Sequence, residues 1–284
     1  MSECPISECQ WERLLPREFR ARFDALPVVY LPLGTVEWHG EYNALGLDSL
    51  KAHALCVQAA ARGGGIVHPP LYGGMGGLDK PATVVLEPEL AWENYLLRPW
   101  LEQLCSEFQR LGFKGIVMLT GHYGHNQQIL VREAAARMTE RLQIPVLGTP
   151  EYFLAHDIGY LGDHAGVGET SLLMHLHPGL VDMAREDGEF QAATSTVERG
   201  ALYTETIVSR LAAFARTLPT MDSNTREAFS DAERALVRVQ TALWRTQQPW
   251  QAWGNLIERQ QFNYGKFLAE GDFAGIAALA EALK

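Results

Sequence analysis

The chain has 284 residues, 47% of them apolar, which is enough to bury a full hydrophobic core as one globular unit. Its 24 Lys and Arg face 34 Asp and Glu, and the formal charge of -10 disfavours a nucleic-acid backbone or an anionic membrane as partner. The opening MSECPISECQWERLLPRE lacks the apolar run of a signal peptide, and no later stretch approaches the roughly 18 apolar residues of a membrane span. Cys4, Cys9, Cys56 and Cys105 form no C-x-x-C pair, so reduced thiols and a cytoplasmic location are expected.

Pro27 to Leu33 (PVVYLPL) ends at Gly34 and reads as a buried strand with a turn, and the segment after Asp48 (SLKAHALCVQAAAR) reads as a helix stopped by Gly63-Gly64-Gly65. Ile66-Val67 begins a second strand, cut off by Pro69-Pro70. Tyr72 to Gly77 (YGGMGG) is a glycine-rich loop expected to be mobile or close to a ligand. Trp92 to Leu111 reads as a helix, Gly115 to Thr120 as a buried strand, Asn126 to Leu142 as a helix and Pro145 to Gly148 as another strand. The alternation predicts an α/β fold with a mainly parallel sheet covered on both faces, binding ligands beyond the carboxyl ends of its strands.

From about Val197 the pattern turns helical. Leu218 to Asp231 is polar and is the best candidate for an exposed connection, and Ser230-Asp231-Ala232-Glu233 carries a capping-box signature before another helix. A last apolar stretch runs from Phe273 to Leu283. A single domain over 1–284 is expected, with a mainly helical extension over about 197–284.

Three clusters at strand-to-helix junctions could carry chemistry. In Glu37-Trp38-His39-Gly40, the spacing of two in extended chain points Glu37 and His39 to one side, and Asp48 follows at a helix start. Asp48 could bind metal or cap the helix. Thr120-Gly121-His122-Tyr123-Gly124-His125-Asn126 follows a strand, with His122 nearest its end and His125 either supporting the site or packing elsewhere. Asp163-His164-Ala165-Gly166-Val167-Gly168-Glu169 puts a carboxylate and an imidazole before small residues. There Glu169 could serve a metal or merely complement a helix dipole.

Any one cluster has an ordinary structural explanation, but together they offer the N and O donors that bind zinc, manganese or iron. A pair of metals needs a bridging carboxylate and terminal ligands, a demand met by Asp48 between Glu37 and His39 with His122 nearby. There is no H-E-x-x-H, no G-x-S-x-G and no Walker loop, and YGGMGG does not match the dinucleotide fingerprint.

LPLGTVEWHG (31–40), ALGLD (44–48), TGHYGHN (120–126) and DHAGVGETS (163–171) resemble, in order and spacing, the motifs of the creatininase, or creatinine amidohydrolase, family over about residues 27–180. The resemblance implies a three-layer α/β/α fold, a homo-oligomer that is often a hexamer, and two divalent metals activating a water to hydrolyse a small molecule. By position, Glu37 and His122 would hold one metal, His39 the other, and Asp48 would bridge them.

The family's namesake has a further glutamate two residues after the histidine matching His122. Gly124 stands there in this chain, so Glu169 is the expected replacement, with His125 as the other option. His164 matches the family's proton shuttle and Tyr123 a residue near the substrate; with Glu169 these are the expected catalytic groups. Glu151 to Gly168 contains none of the tryptophans that close over creatinine, and Lys80-Pro81-Ala82-Thr83 only approximates a phenylalanine-proline-glycine-threonine segment, which argues for a shifted pocket and another substrate. The expected reaction is cleavage of a C–N bond in a cyclic amide or related molecule. Alternatives are a cyclic ketone or formamide substrate, or a non-catalytic, metal-containing small-molecule-binding subunit.

Overall fold

A computed structural model describes residues 8–88, 96–243, 246 and 248–284. Four strands, β1 (Val28–Leu33), β2 (Ile66–Val67), β3 (Gly115–Thr120) and β4 (Val146–Pro150), form a parallel sheet in the order β2-β1-β3-β4. Leu33 stands opposite Thr120, and Thr120 opposite Pro150, so the carboxyl ends of the three longer strands are level. Loops leaving those ends therefore meet in one place.

Side chains alternate across the sheet and feed two cores, as a sheet covered on both faces requires. Val28 and Tyr30 of β1 join Val117, Leu119 and Leu147 on one face, while Val29, Leu31 and Leu33 join Ile116, Met118 and Val146 on the other. The first face is covered by α2 (Leu47–Gly63) and α6 (Val197–Thr217), and the second by α1 (Pro16–Ala25), α3 (Leu97–Arg110) and α4 (His125–Leu142). The parallel sheet covered on both faces that the alternation predicts, and the three-layer α/β/α fold that the resemblance implies, are thus present.

The remaining helices are α5 (Val167–Leu176), α7 (Ser223–Ala242), α8 (Pro249–Arg259), α9 (Tyr264–Glu270) and α10 (Phe273–Ala282). Buried Arg132 of α4 ties this layer down, donating to Glu233 at 3.2 Å and to Gln240 at 3.1 Å, and Tyr264 donates to the same Glu233 at 2.9 Å. The helical part continues the first core through Phe229, Leu236, Trp253, Phe262 and Ile276.

Two expectations are corrected. The Ser230 motif lies inside α7, which starts at Ser223 with Asp222 accepting from Thr225 N at 2.7 Å. Leu218 to Asp231 is accordingly a short 3-10 turn and the front half of a helix; it is largely exposed, as expected, with Phe229 buried, but it is not a loop. A capping box works only where the preceding residue leaves helical geometry, and Asp222 does so at ψ 172. Cys9, Cys56 and Cys105 are free buried thiols; Cys4 and the expected helix start at Trp92 lie outside the described residues.

Candidate metal centre

Three strand-to-helix passages build the centre. Glu37 and His39 follow β1, Asp48 lies in the first turn of α2, His122 follows β3, and Glu169 lies in the first turn of α5. Glu37, His39, Asp48, His122 and Glu169 are all buried, and His164 is partly buried. Their ligand atoms gather in three overlapping groups: Glu37, Asp48 and His122; His39, Asp48 and Glu169; and Glu37, His39 and His164, each within 4.8 Å.

Close backbone approach makes this convergence possible. At Gly34, which ends β1, a Cβ would lie 2.5 Å from Ser49 N and 2.6 Å from Asp48 Cβ. At Gly121, after β3, it would collide with Asp48 O. Only glycines at both strand ends let the first turn of α2 press against the sheet. The Asp48 carboxylate is thereby carried into the centre, bonding His39 Nε2 at 3.1 Å through Oδ1 rather than capping its helix.

The imidazoles are oriented by main-chain carbonyls. His39 Nδ1 lies 3.0 Å from Glu37 O, His122 Nε2 3.0 Å from Met75 O and His164 Nε2 2.9 Å from Trp38 O. A carbonyl only accepts, so each of these nitrogens donates, and in the neutral ring the other nitrogen keeps its lone pair. Those bare nitrogens face carboxylates: His122 Nδ1 is 2.8 Å from Glu37 Oε1 and 3.2 Å from Asp48 Oδ2, and His39 Nε2 is 3.8 Å from Glu169 Oε2. Metal-binding histidines are set up in this way, with the second ring nitrogen donating to a carbonyl or carboxylate.

Met75 belongs to the glycine-rich loop. Its N–H donates to Gln127 at 2.7 Å, and Gln127 in turn donates to Thr120 at 3.0 Å, so the loop is locked against the His122 turn. The loop lies close to the centre, one of the two options its composition suggested.

The donor set suits a divalent cation. Glu37 Oε1 and Asp48 Oδ2 are buried and accept no hydrogen bond among the described residues, although both point at His122 Nδ1. Buried carboxylate oxygens left so are costly unless a cation shares them. Burial opposes the charged form of Asp48, but His39 and His122 outweigh it and hold its carboxyl well below the usual range. Burial likewise opposes protonation of His122, and Glu37 and Asp48 override it and push the ring well above its ordinary value. The carboxylates therefore demand positive charge here, which a proton or a metal can supply.

At α5 the helix dipole is served by Asp163, which accepts from Gly168 N at 2.7 Å and Glu169 N at 3.1 Å. Glu169 is released to face inward, where Oε2 accepts from Ala165 N at 2.7 Å and Oε1 is bonded by Lys51. His125 is not brought to the centre: its Nε2 donates to Gln240 O of α7 at 3.3 Å. His164 stacks on His39 at 4.6 Å and meets Phe190 edge-on at 5.1 Å, and burial, followed by the neighbouring His39, pushes it down to about 4. The Tyr123 hydroxyl turns away from the six groups, donating to Glu151 at 2.7 Å and contacting Lys51 and Tyr160.

Sequence reasoning missed Lys51, Glu151 and Tyr160, all buried behind Glu169. A signal existed for Lys51, because it falls four residues from both Leu47 and Leu55 on the apolar stripe of α2, where a solvated lysine has no place. Trp38, between two candidate ligands in the sequence, was expected to line the pocket; what was missed is Glu189, to which Trp38 Nε1 and Lys80 Nζ donate at 3.1 and 2.7 Å.

A parallel sheet with acid and imidazole groups converging beyond its strand ends, in groups able to hold a metal ion, defines a three-layer α/β enzyme class with a candidate metal site. Within that class, residues 12–211 match the creatininase (creatinine amidohydrolase) family model, and the chain belongs to that family of hydrolases. It is 29% identical over 208 residues to the creatinine amidohydrolase of Pseudomonas putida, covering 63% of this chain and 74% of that one. A crystal structure of creatinine amidohydrolase superposes with a TM-score of 0.65 at 25% identity, over 75% of this chain and 99% of that chain. A manganese form of creatininase gives 0.61 at 26% identity, over 75% and 99%.

Proposed function

We propose that this hydrolase holds two divalent cations, zinc, manganese or iron, and cleaves a C–N bond of a cyclic amide or related small molecule. The supporting observation is the pair His39 and His122, each donating one N–H to a main-chain carbonyl and turning its bare nitrogen onto buried carboxylates. Glu37, Asp48 and His122 would hold one cation and His39, Asp48 and Glu169 the other, Asp48 being common to both groups. When bound, the pair supplies a water acidic enough to ionise near neutral pH and a polarised carbonyl.

The chain's own groups do the rest. His164 has Nε2 committed to Trp38 O, so it takes and returns a proton at Nδ1, 3.7 Å from Glu37 Oε1. Phe190 meets that ring edge-on and orients a flat substrate, and Glu189, held by Lys80 and Trp38, lines the same rim. Tyr123 serves the site through Lys51 and Glu151 rather than by touching the substrate. The active protein is a homo-oligomer, which light scattering measures directly.

Metal analysis with turnover tests the reading. Two ions per chain and loss of cyclic-amide hydrolysis on complete chelation are expected; unchanged turnover without metal overturns it. One ion or none, with no turnover of cyclic amides, cyclic ketones or formamides, indicates a binding subunit instead.

A further inference from the structure

Behind the centre, buried Lys51, Glu151 and Tyr160 and part-buried Tyr123 form a second polar cluster. Lys51, one turn after Asp48 on α2, is fully buried. Its ammonium bonds Glu169 Oε1, lies 3.0 Å from Glu151 Oε1, and donates to the Tyr123 hydroxyl at 3.0 Å, with Nζ 4.1 Å above the Tyr123 ring. Tyr123 gives its proton to Glu151, so Tyr160 must donate to Tyr123. A buried lysine is retained only where such partners compensate it.

This cluster makes the two cation positions unlike. At the first, Glu37 Oε2 accepts from Leu78 N at 3.1 Å, while Glu37 Oε1 and Asp48 Oδ2 face only the His122 ring, a ligand of the same position, with no lysine among the described residues beside them. At the second, Glu169 has one oxygen taken by Lys51 and the other by the Ala165 amide, and Asp48 Oδ1 already meets His39. Lys51 thus fixes Glu169 so that only Oε2 faces His39, and sets a positive charge one residue behind that ligand.

We propose that Lys51 is a positioning residue that makes Glu169 a one-oxygen ligand and weakens the second cation position relative to the first, so that the two fill in order. The inference rests on the two-cation reading above. Glu151 moderates the effect, since it is the other carboxylate sharing the ammonium. Removing Glu151 leaves more of the lysine's charge acting on Glu169, whereas removing both leaves Glu169 free to serve the cation.

The experiment is a titration of the full-length, metal-stripped protein with Mn2+, followed by calorimetry and by the electron paramagnetic resonance signature of coupled manganese pairs. Wild type is expected to bind in two steps at least about tenfold apart, a gap easily generated by one charge a few ångströms away. Glu151→Gln, nearly isosteric, should weaken the second step by about fivefold or more, and Lys51→Met with Glu151→Gln should tighten it by about tenfold, while the first step moves less than about threefold. Equal steps in wild type, a second step indifferent to Glu151→Gln, or both steps moving together would overturn the proposal. If the double variant fails to fold, Glu151→Gln alone decides. Failure of the wild type to bind any Mn2+ would instead sink the two-cation reading.

Discussion

Gly121 lies so close to the main-chain oxygen of Asp48 that a Cβ on it would fall within that atom. The contact joins the end of β3 to the first turn of α2, and with it the two halves of the centre. Gly121→Ala should cost about 3 kcal/mol, since the clash is with backbone rather than a movable side chain. Thermal unfolding should reveal the loss and metal analysis a parallel fall in bound ion; an alanine variant with wild-type values for both would remove this contact from the explanation.

Asp48 and His164 have separable duties in the proposed mechanism. Asp48→Asn keeps the shape but removes a charge shared by both cation positions, so metal content should fall towards zero. His164→Ala should keep its metal and lose about a hundredfold or more in kcat, the usual scale of a proton-transfer group. The reverse pattern would mean that their roles have been exchanged.

Arg132 and Glu233 couple the helical layer to α4 from inside the core. Arg132→Met leaves Glu233 buried without its cation and should cost about 3 to 5 kcal/mol. Adding Glu233→Gln should recover much of that, because the amide oxygen can still accept from Tyr264. A double variant no more stable than the single one would show that the charge pair is not what docks α7.

His125 and His156 sit against the helical layer, and burial pushes each down to about 4. In the unfolded chain both titrate near about 6.5, so the unfolded state binds more protons between pH about 4 and 6.5. Stability is therefore complete above that window and falls through it as pH drops, by up to about 3 kcal/mol for each ring. His156→Met should make the decline in unfolding temperature across the window visibly shallower; an identical slope would mean that His156 takes up its proton as readily in the folded protein as in the unfolded chain.

The sequence by itself determined the layers and where the candidate ligands leave them. Gly115 to Thr120 is a strand with those bounds, and Glu37, His122 and Glu169 stand at the junctions expected, because strand runs and the loops after them are written in neighbouring residues. Helix starts were legible only when the local backbone agreed: the Ser230 signature has the right letters but sits mid-helix, since capping depends on dihedral angles that neighbours impose. What tertiary structure decided is which way side chains face. Glu169 was the expected ligand by position and His125 the other option, and packing turned His125 onto Gln240 and Glu169 towards His39. Lys51, Glu151, Tyr123 and Tyr160 come from four places in the chain and have meaning only as one cluster, because a buried charge is tolerated only where distant partners arrive to pay its desolvation.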